Sequence, residues 1–132
     1  MKQYLDMVFT HGWAYGKDGN KLKDKIMFNA LTTSGQRESY ASEEHNRFPL
    51  SSFLIPFNQM AFVCKMHYLP PYVLHESGKV SAKESSKQAR DFKHLLNTLR
   101  EPATPLDHIK DMEYINDFLA KTATSEASTI TT

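Results

Sequence analysis

Apolar residues recur along the chain in two rhythms. Met1, Tyr4, Leu5, Val8 and Phe9 lie three and four apart, which predicts an amphipathic helix at the start of the chain. Ile26 to Leu31 is a short apolar run bounded by charge on one side and Thr32-Thr33-Ser34-Gly35 on the other, the form of a buried strand ending in a loop. After a polar connection over 46–52, Phe53 to Cys64 is strongly apolar. Pro56 near its start suits the first turn of a largely buried helix. Pro70 and Pro71 confine a second strand to Tyr72–His75 or a little beyond. Ser81-Ala82-Lys83-Glu84 has the form of a capping box, and Ala89, Phe92, Leu96 and Leu99 continue a helix that ends before Pro102. Leu106, Ile109, Met112, Ile115 and Leu119 predict one more amphipathic helix, packed back on the domain or on a partner subunit. Thr122 to Thr132, with almost no apolar content, reads as a disordered tail. The chain thus divides into a domain over 1–101, a terminal helix over 102–121 and the tail. Alternating helices and strands predict an α/β fold with a parallel sheet. Two strands are too few to build one, so the chain is expected to borrow strands or to lack some.

Composition narrows the function. The 132 residues are the size of one domain, and a 40% hydrophobic fraction suffices for a core. Sixteen Lys+Arg against 15 Asp+Glu give a formal charge of +1, which makes no electrostatic case for nucleic acid or an anionic membrane as the principal partner. The single cysteine, Cys64, sits in an apolar stretch and reads as a small buried hydrophobe, in keeping with a reducing compartment. The scattered histidines show no metal-ligand spacing. No signal peptide is evident, and no segment approaches the roughly 20 apolar residues needed to span a bilayer. The expected location is the cytoplasm, without membrane insertion.

Chemistry is expected where the first strand ends. In open α/β sheets ligands bind beyond the carboxyl ends of strands, where backbone N–H groups, hydroxyls and a permissive glycine can surround a planar or anionic group. Thr32, Thr33, Ser34 and Gly35 stand there, and Tyr40 and His45 follow within reach. A second candidate is His11-Gly12-Trp13-Ala14-Tyr15-Gly16, an aromatic segment between glycines followed by an Asp18-Gly19 turn. Its aromatic rings either close over the core, the commoner use of Trp and Tyr, or stack on a ligand.

Four stretches carry a family resemblance: V-F-T-H-G-W-A-Y-G at 8–16, L-K-D-K at 22–25, L-T-T-S-G at 31–35 and V-C-K-M-H-Y-L-P-P-Y-V-L-H at 63–75. Together they resemble the flavodoxin-like NAD(P)H:quinone oxidoreductases, most closely the small bacterial branch that includes the ancillary quinone reductases of potassium-efflux systems. The resemblance covers about Met1 to Leu99. It implies a flavodoxin-like parallel sheet with flanking helices, FMN or FAD at the carboxyl ends of the strands, NAD(P)H as electron donor, a quinone substrate and a homodimer. Thr32, Thr33, Ser34 and Gly35 then fall on the loop that contacts the isoalloxazine, with Ser34 in place of the first glycine. A β-carbon at that point would clash with the flavin if φ is positive. Tyr40 aligns with a tyrosine, and His45 lies near a histidine, that hydrogen-bond the flavin during hydride transfer. Tyr15 resembles the aromatic that lines the quinone pocket from the opposite subunit, with Trp13 beside it. Asp24 and Lys65 stand where the family usually has glycine, so a turn and a helix terminus should be adjusted.

The same resemblance aligns Met1 with the helix after the family's third strand. In the strand order 2-1-3-4-5 this leaves the fourth and fifth strands, with an open edge where the third belongs. Two readings follow. The chain is an FMN-dependent quinone reductase or its C-terminal portion, completed by a second copy or a complementary N-terminal chain. Alternatively it is a non-catalytic flavodoxin-like module or truncated fragment that docks on another protein, such as a transporter's cytoplasmic domain.

Overall fold

The computed structural model describes residues 2–41 and 46–121. His45 and the tail over 122–132 therefore lie outside the described residues. Helix α1, Lys2–Val8, leads into the aromatic loop. Strands β1, Ile26–Met27, and β2, Ala30–Thr32, follow. Helices α2, Leu50–Phe53, and α3, Ile55–Val63, come next. Then come β3, His67–Tyr68, β4, Tyr72–Leu74, and the long helix α4, Ala82–Thr98. A short helix α5, Leu106–Lys110, and a helical turn over 116–121 end the described chain.

The strands form one parallel ribbon broken in the middle. β1 pairs with β3 and β2 with β4, with Ile26 opposite His67 and Ala30 opposite Tyr72. Leu69, Pro70 and Pro71 separate β3 from β4, against Phe28 and Asn29 between β1 and β2, so the C-terminal strand bulges by one residue. The prolines supply no N–H there, and the ladder resumes with Tyr72 N–H donating to Asn29 O at 2.9 Å. Periodicity missed β3, a two-residue strand, and fused β1 with β2.

The apolar run expected as one buried helix from Phe53 is two helices. The break falls at Leu54 because Pro56 has no N–H to continue the ladder and its ring crowds the carbonyl a turn earlier. Nor is it largely buried: Ile55 and Phe62 are 61% and 72% exposed. On α4 the inward residue is Leu95, fully buried, and Leu96 points outward. Ser81 caps that helix as its sequence predicted, its Oγ accepting from Glu84 N–H at 3.2 Å. The segment expected as one helix over Leu106–Leu119 bends after Lys110, yet Ile109, Ile115 and Phe118 all point inward. They complete one core with Leu69, Tyr72, Leu95 and Leu99. The segment packs back on this domain.

The two edges of the ribbon differ. On β4, the Asn116 side chain accepts from Val73 N–H at 2.9 Å and donates to Val73 O at 3.1 Å, so one amide stands in for a neighbouring strand. Ile115 N–H donates to Pro71 O beside it. On β2, ladder alternation turns the N–H and C=O groups of Ala30 and Thr32 outward, and both residues are exposed.

Asp24 and Lys65 keep the conformation that glycine would favour, with φ of 62° and 60°. The backbone is not adjusted to the side chains as expected; the side chains occupy a left-handed backbone. After α3, Lys65 N–H donates to Phe62 O at 3.0 Å and Met66 N–H to Ala61 O at 2.9 Å, a glycine-type helix ending built on lysine. Replacing Lys65→Gly should therefore raise stability by about 1 kcal/mol, since left-handed backbone strains a residue with a β-carbon. Equilibrium urea unfolding checks this, and an unchanged or lower midpoint would count against it.

Candidate functional site

The loop after β2 is zipped to the turn after β4. Thr33 N–H donates to Leu74 O at 2.9 Å, Ser77 N–H to Thr33 O at 2.9 Å, and Glu76 N–H to Gly35 O at 3.2 Å. The parallel ladder thus continues past the ends of both strands. Within the loop, Thr33 is buried at 7% exposure, and its hydroxyl donates to Gly35 O at 2.9 Å. A hydroxyl has one proton, so the 3.0 Å contact between Thr33 Oγ1 and His75 Nδ1 is made by the ring N–H. His75 therefore carries its proton on Nδ1. Its Nε2 is buried without a partner, and burial pushes the imidazole below its ordinary range, with Arg37 adding to the effect.

With Thr33 turned inward, Thr32 and Ser34 are the exposed members of the quartet. Neither Ser34 nor Gly35 has positive φ, so the β-carbon of Ser34 is accommodated without strain. The N–H groups of Ser34, Gly35 and Gln36 have no acceptor among the described residues. Three adjacent free donors at a strand's carboxyl end suit the carbonyl oxygens and ring nitrogens along one edge of an isoalloxazine. The residues present fit that ring.

A single 3-10 turn over Arg37–Tyr40 follows. Tyr40 packs on the small core of Leu50, Val73 and Tyr114, with its ring 6.1 Å from that of His75. Its Cε2 lies 3.5 Å from where a β-carbon on Gly35 would stand, so the phenol backs the loop directly. The chain beyond returns at Asn46, whose N–H and side-chain amide both donate to Ser39 O.

Trp13 and Tyr15 sit elsewhere. Trp13 is 42% exposed, so it does not close over the core as its residue type suggested; Ala14, fully buried, is the inward residue of the segment. Tyr15 stacks edge-on against His11 at 5.5 Å and lines a cavity of about 330 Å³ with Leu5, Phe9, Met60 and Cys64. Gly19 shapes this loop, because a β-carbon there would overlap the Tyr15 carbonyl. No hydrogen bond or ring contact joins Trp13 or Tyr15 to the 32–35 loop among the described residues. Cys64 is 1% exposed, and burial pushes its thiol up, so it is the inert hydrophobe expected.

Four residues of this region, Arg37, Glu113, Tyr114 and Asp117, escaped the sequence reading. Arg37 forks onto Asp117, Nη1 to Oδ1 at 2.8 Å and Nη2 to Oδ2 at 2.9 Å, and also reaches Glu113 Oε2 at 2.6 Å. Its guanidinium lies 4.5 Å over the ring of Tyr114, which meets His75 edge-on at 5.3 Å. Burial, then the Glu113 carboxylate, pushes the Tyr114 phenol up to about 12. Pairing with Arg37 holds the Asp117 carboxyl below the usual range. Such long-range pairing has no sequence signature.

The neutral imidazole predicts the sign of a pH effect. A histidine with a depressed folded pKa contributes fully above its unfolded value of 6.5, and stability falls as pH drops below it, because only the unfolded chain takes up the proton. The thermal midpoint should drop between pH 7 and pH 5. His75→Asn, which keeps a donor for Thr33, should flatten that drop; an equal drop in both proteins would remove His75 as its source.

Comparison with known proteins agrees with this geometry. The family model described as the flavodoxin-like fold matches residues 1–96. The glutathione-regulated potassium-efflux system ancillary protein KefG of Shigella flexneri serotype 5b is 37% identical over 92 residues, covering 70% of this chain and 50% of that protein. YdeQ of Bacillus subtilis, named an uncharacterized NAD(P)H oxidoreductase, is 33% identical over 118 residues, 88% of this chain and 60% of that one. The structure of general stress protein 14 from Treponema denticola in complex with FMN superposes with a TM-score of 0.68 at 32% identity, over 75% of this chain and 56% of that one. The chain spans about half the length of the curated relatives it matches. No helix among the described residues is long and apolar enough to cross a membrane. With its parallel ribbon, its loops at the strands' carboxyl ends and a family match over most of its length, the chain belongs to the flavodoxin-like fold family.

Proposed function

We propose that the chain is the ring-binding portion of an FMN-dependent NAD(P)H:quinone oxidoreductase. One observation carries this reading: the free N–H groups of Ser34, Gly35 and Gln36, presented by a zipped loop at the carboxyl end of a parallel strand. The sequence relatives support it, one named for NAD(P)H oxidoreduction and one solved with FMN. Bound flavin supplies two-electron hydride chemistry. Around it the chain's own groups donate hydrogen bonds. The loop amides hold the ring edge, Thr32 borders it, and Tyr40, whose hydroxyl has no partner among the described residues, donates toward charge that develops on reduction. His45 is proposed for the same edge, and Tyr15 with Trp13 for the quinone side of a homodimer.

The relatives' extra length supports a partner at the outer edge of β2. The outward N–H and C=O groups of Ala30 and Thr32 accept a third parallel strand, from a complementary N-terminal chain or a second copy. In the cytoplasm such an assembly would also hold the remainder of the cofactor.

A second reading rests on the apolar face of α2 and α3. Phe53, Ile55 and Phe62 are 52%, 61% and 72% exposed, and KefG is named an ancillary protein of a potassium-efflux system. A non-catalytic module docking that face on a transporter's cytoplasmic domain fits this patch.

The chain mixed with FMN and dialysed should retain a flavin absorbance spectrum and pass hydride from NAD(P)H to a quinone. Tyr40→Phe should slow reduction by NAD(P)H about tenfold or more while leaving flavin retained. A colourless chain that binds a transporter domain would favour docking over catalysis.

A further inference from the structure

We propose that Arg37 is a positioning residue, through which the segment 113–117 clamps the 33–40 turn in the conformation that leaves the loop's N–H groups open. This rests on the reading of that loop as a flavin site, and it adds a part of the chain beyond the family match over 1–96.

The clamp has a fixed base. Ile115 N–H is bonded to Pro71 O at 3.1 Å, the Asn116 amide is bonded to both polar groups of Val73, and Ile115 and Tyr114 are 0% and 2% exposed. Glu113 and Asp117 flank that base, so their carboxylates project from a backbone already anchored to the sheet edge. They grip one guanidinium with three hydrogen bonds of 2.6–2.9 Å.

Exposed ion pairs usually contribute little, because ordering two long side chains offsets the Coulomb gain. Here the carboxylates project from an anchored backbone, the Asp117 contact is a two-bond fork, and the guanidinium lies over a buried ring. Each feature lowers the ordering cost.

The turn is thereby held at both ends. At Thr33 the ring of His75 bonds the hydroxyl, and at Arg37 the carboxylates hold the guanidinium. Tyr114 touches both holds, edge-on to His75 and beneath Arg37. Between them lie Ser34, Gly35 and Gln36, with no tertiary hydrogen bond from their own N–H groups. Releasing Arg37 would leave that stretch held by the zip and His75 on the Thr33 side, and on the far side only by the packing of Tyr40 and the Asn46–Ser39 bond.

The test compares Asp117→Asn, Arg37→Lys and the conservative Asp117→Glu in the full chain. Amide exchange is followed at the bonded N–H groups of Thr33, Ser39, Glu76 and Ser77 and, as a core reference, at Leu95. FMN affinity is followed by quenching of flavin fluorescence. Asp117→Asn and Arg37→Lys should speed exchange at the loop amides about tenfold, leave Leu95 unchanged and weaken FMN by a similar factor. Asp117→Glu should retain most of the protection, and Asn116→Ala should speed exchange at Val73 ahead of the loop. Loop exchange that stays at the wild-type rate in both clamp variants would overturn the proposal, as would acceleration spread equally to Leu95. If the wild-type chain takes up no FMN, the flavin reading fails while the exchange pattern still decides the clamp.

Discussion

The candidate site depends on backbone hydrogen bonds that outrun the strands making them. A two-stranded parallel ribbon has few bonds, and this one is broken in the middle by a proline bulge. What steadies its carboxyl end is the zip of Thr33, Gly35, Glu76 and Ser77 across the loops. Because that zip uses Thr33 N–H and the carbonyls of Thr33 and Gly35, the intervening N–H groups are held in place yet left unbonded. A loop free of the zip would order only on binding and lose affinity to that ordering. Glu76 accepts left-handed backbone, φ 51°, to make the return turn, a strain of the kind that surrounding bonds must offset.

The ribbon's asymmetry explains the rest of the architecture. On the β4 side the C-terminal segment covers the sheet with Ile109, Ile115 and Phe118 and closes the edge with the amide of Asn116. On the β2 side nothing among the described residues pairs with Ala30 or Thr32. The faces follow suit. Tyr4 and Met7 on α1 and Phe62 on α3 are more than 60% exposed, since a two-stranded ribbon offers too little area to cover every apolar side chain of the flanking helices.

Element types were largely legible in the sequence because the apolar rhythm of each helix and the composition of each strand agree with its burial. Where the reading slipped, a local rule yielded to packing. Leu96 continued the helical rhythm from Ala89 and Phe92, but the face of α4 is set by Tyr72, whose hydroxyl bonds Gln88, and that rotation buries Leu95. Trp13 looked like a core cover, yet Ala14 alone fits beneath the loop. The loop quartet was visible as small polar residues after an apolar run, but its inner order was not: Thr33 turns inward onto His75, 42 residues away. The link from Arg37 to Asp117 spans 80 residues and left no trace in spacing or composition.

The measurement that bears most directly on the site is a map of backbone amide shifts during titration with FMN. The structure predicts the largest changes at Ser34, Gly35 and Gln36, with smaller ones at Tyr40 and His75 behind them. Shifts centred instead on the separate cavity of about 260 Å³ bounded by Leu50, Tyr68, Lys110 and Tyr114, or no shifts at the loop at all, would contradict the assignment of these donors to a flavin ring.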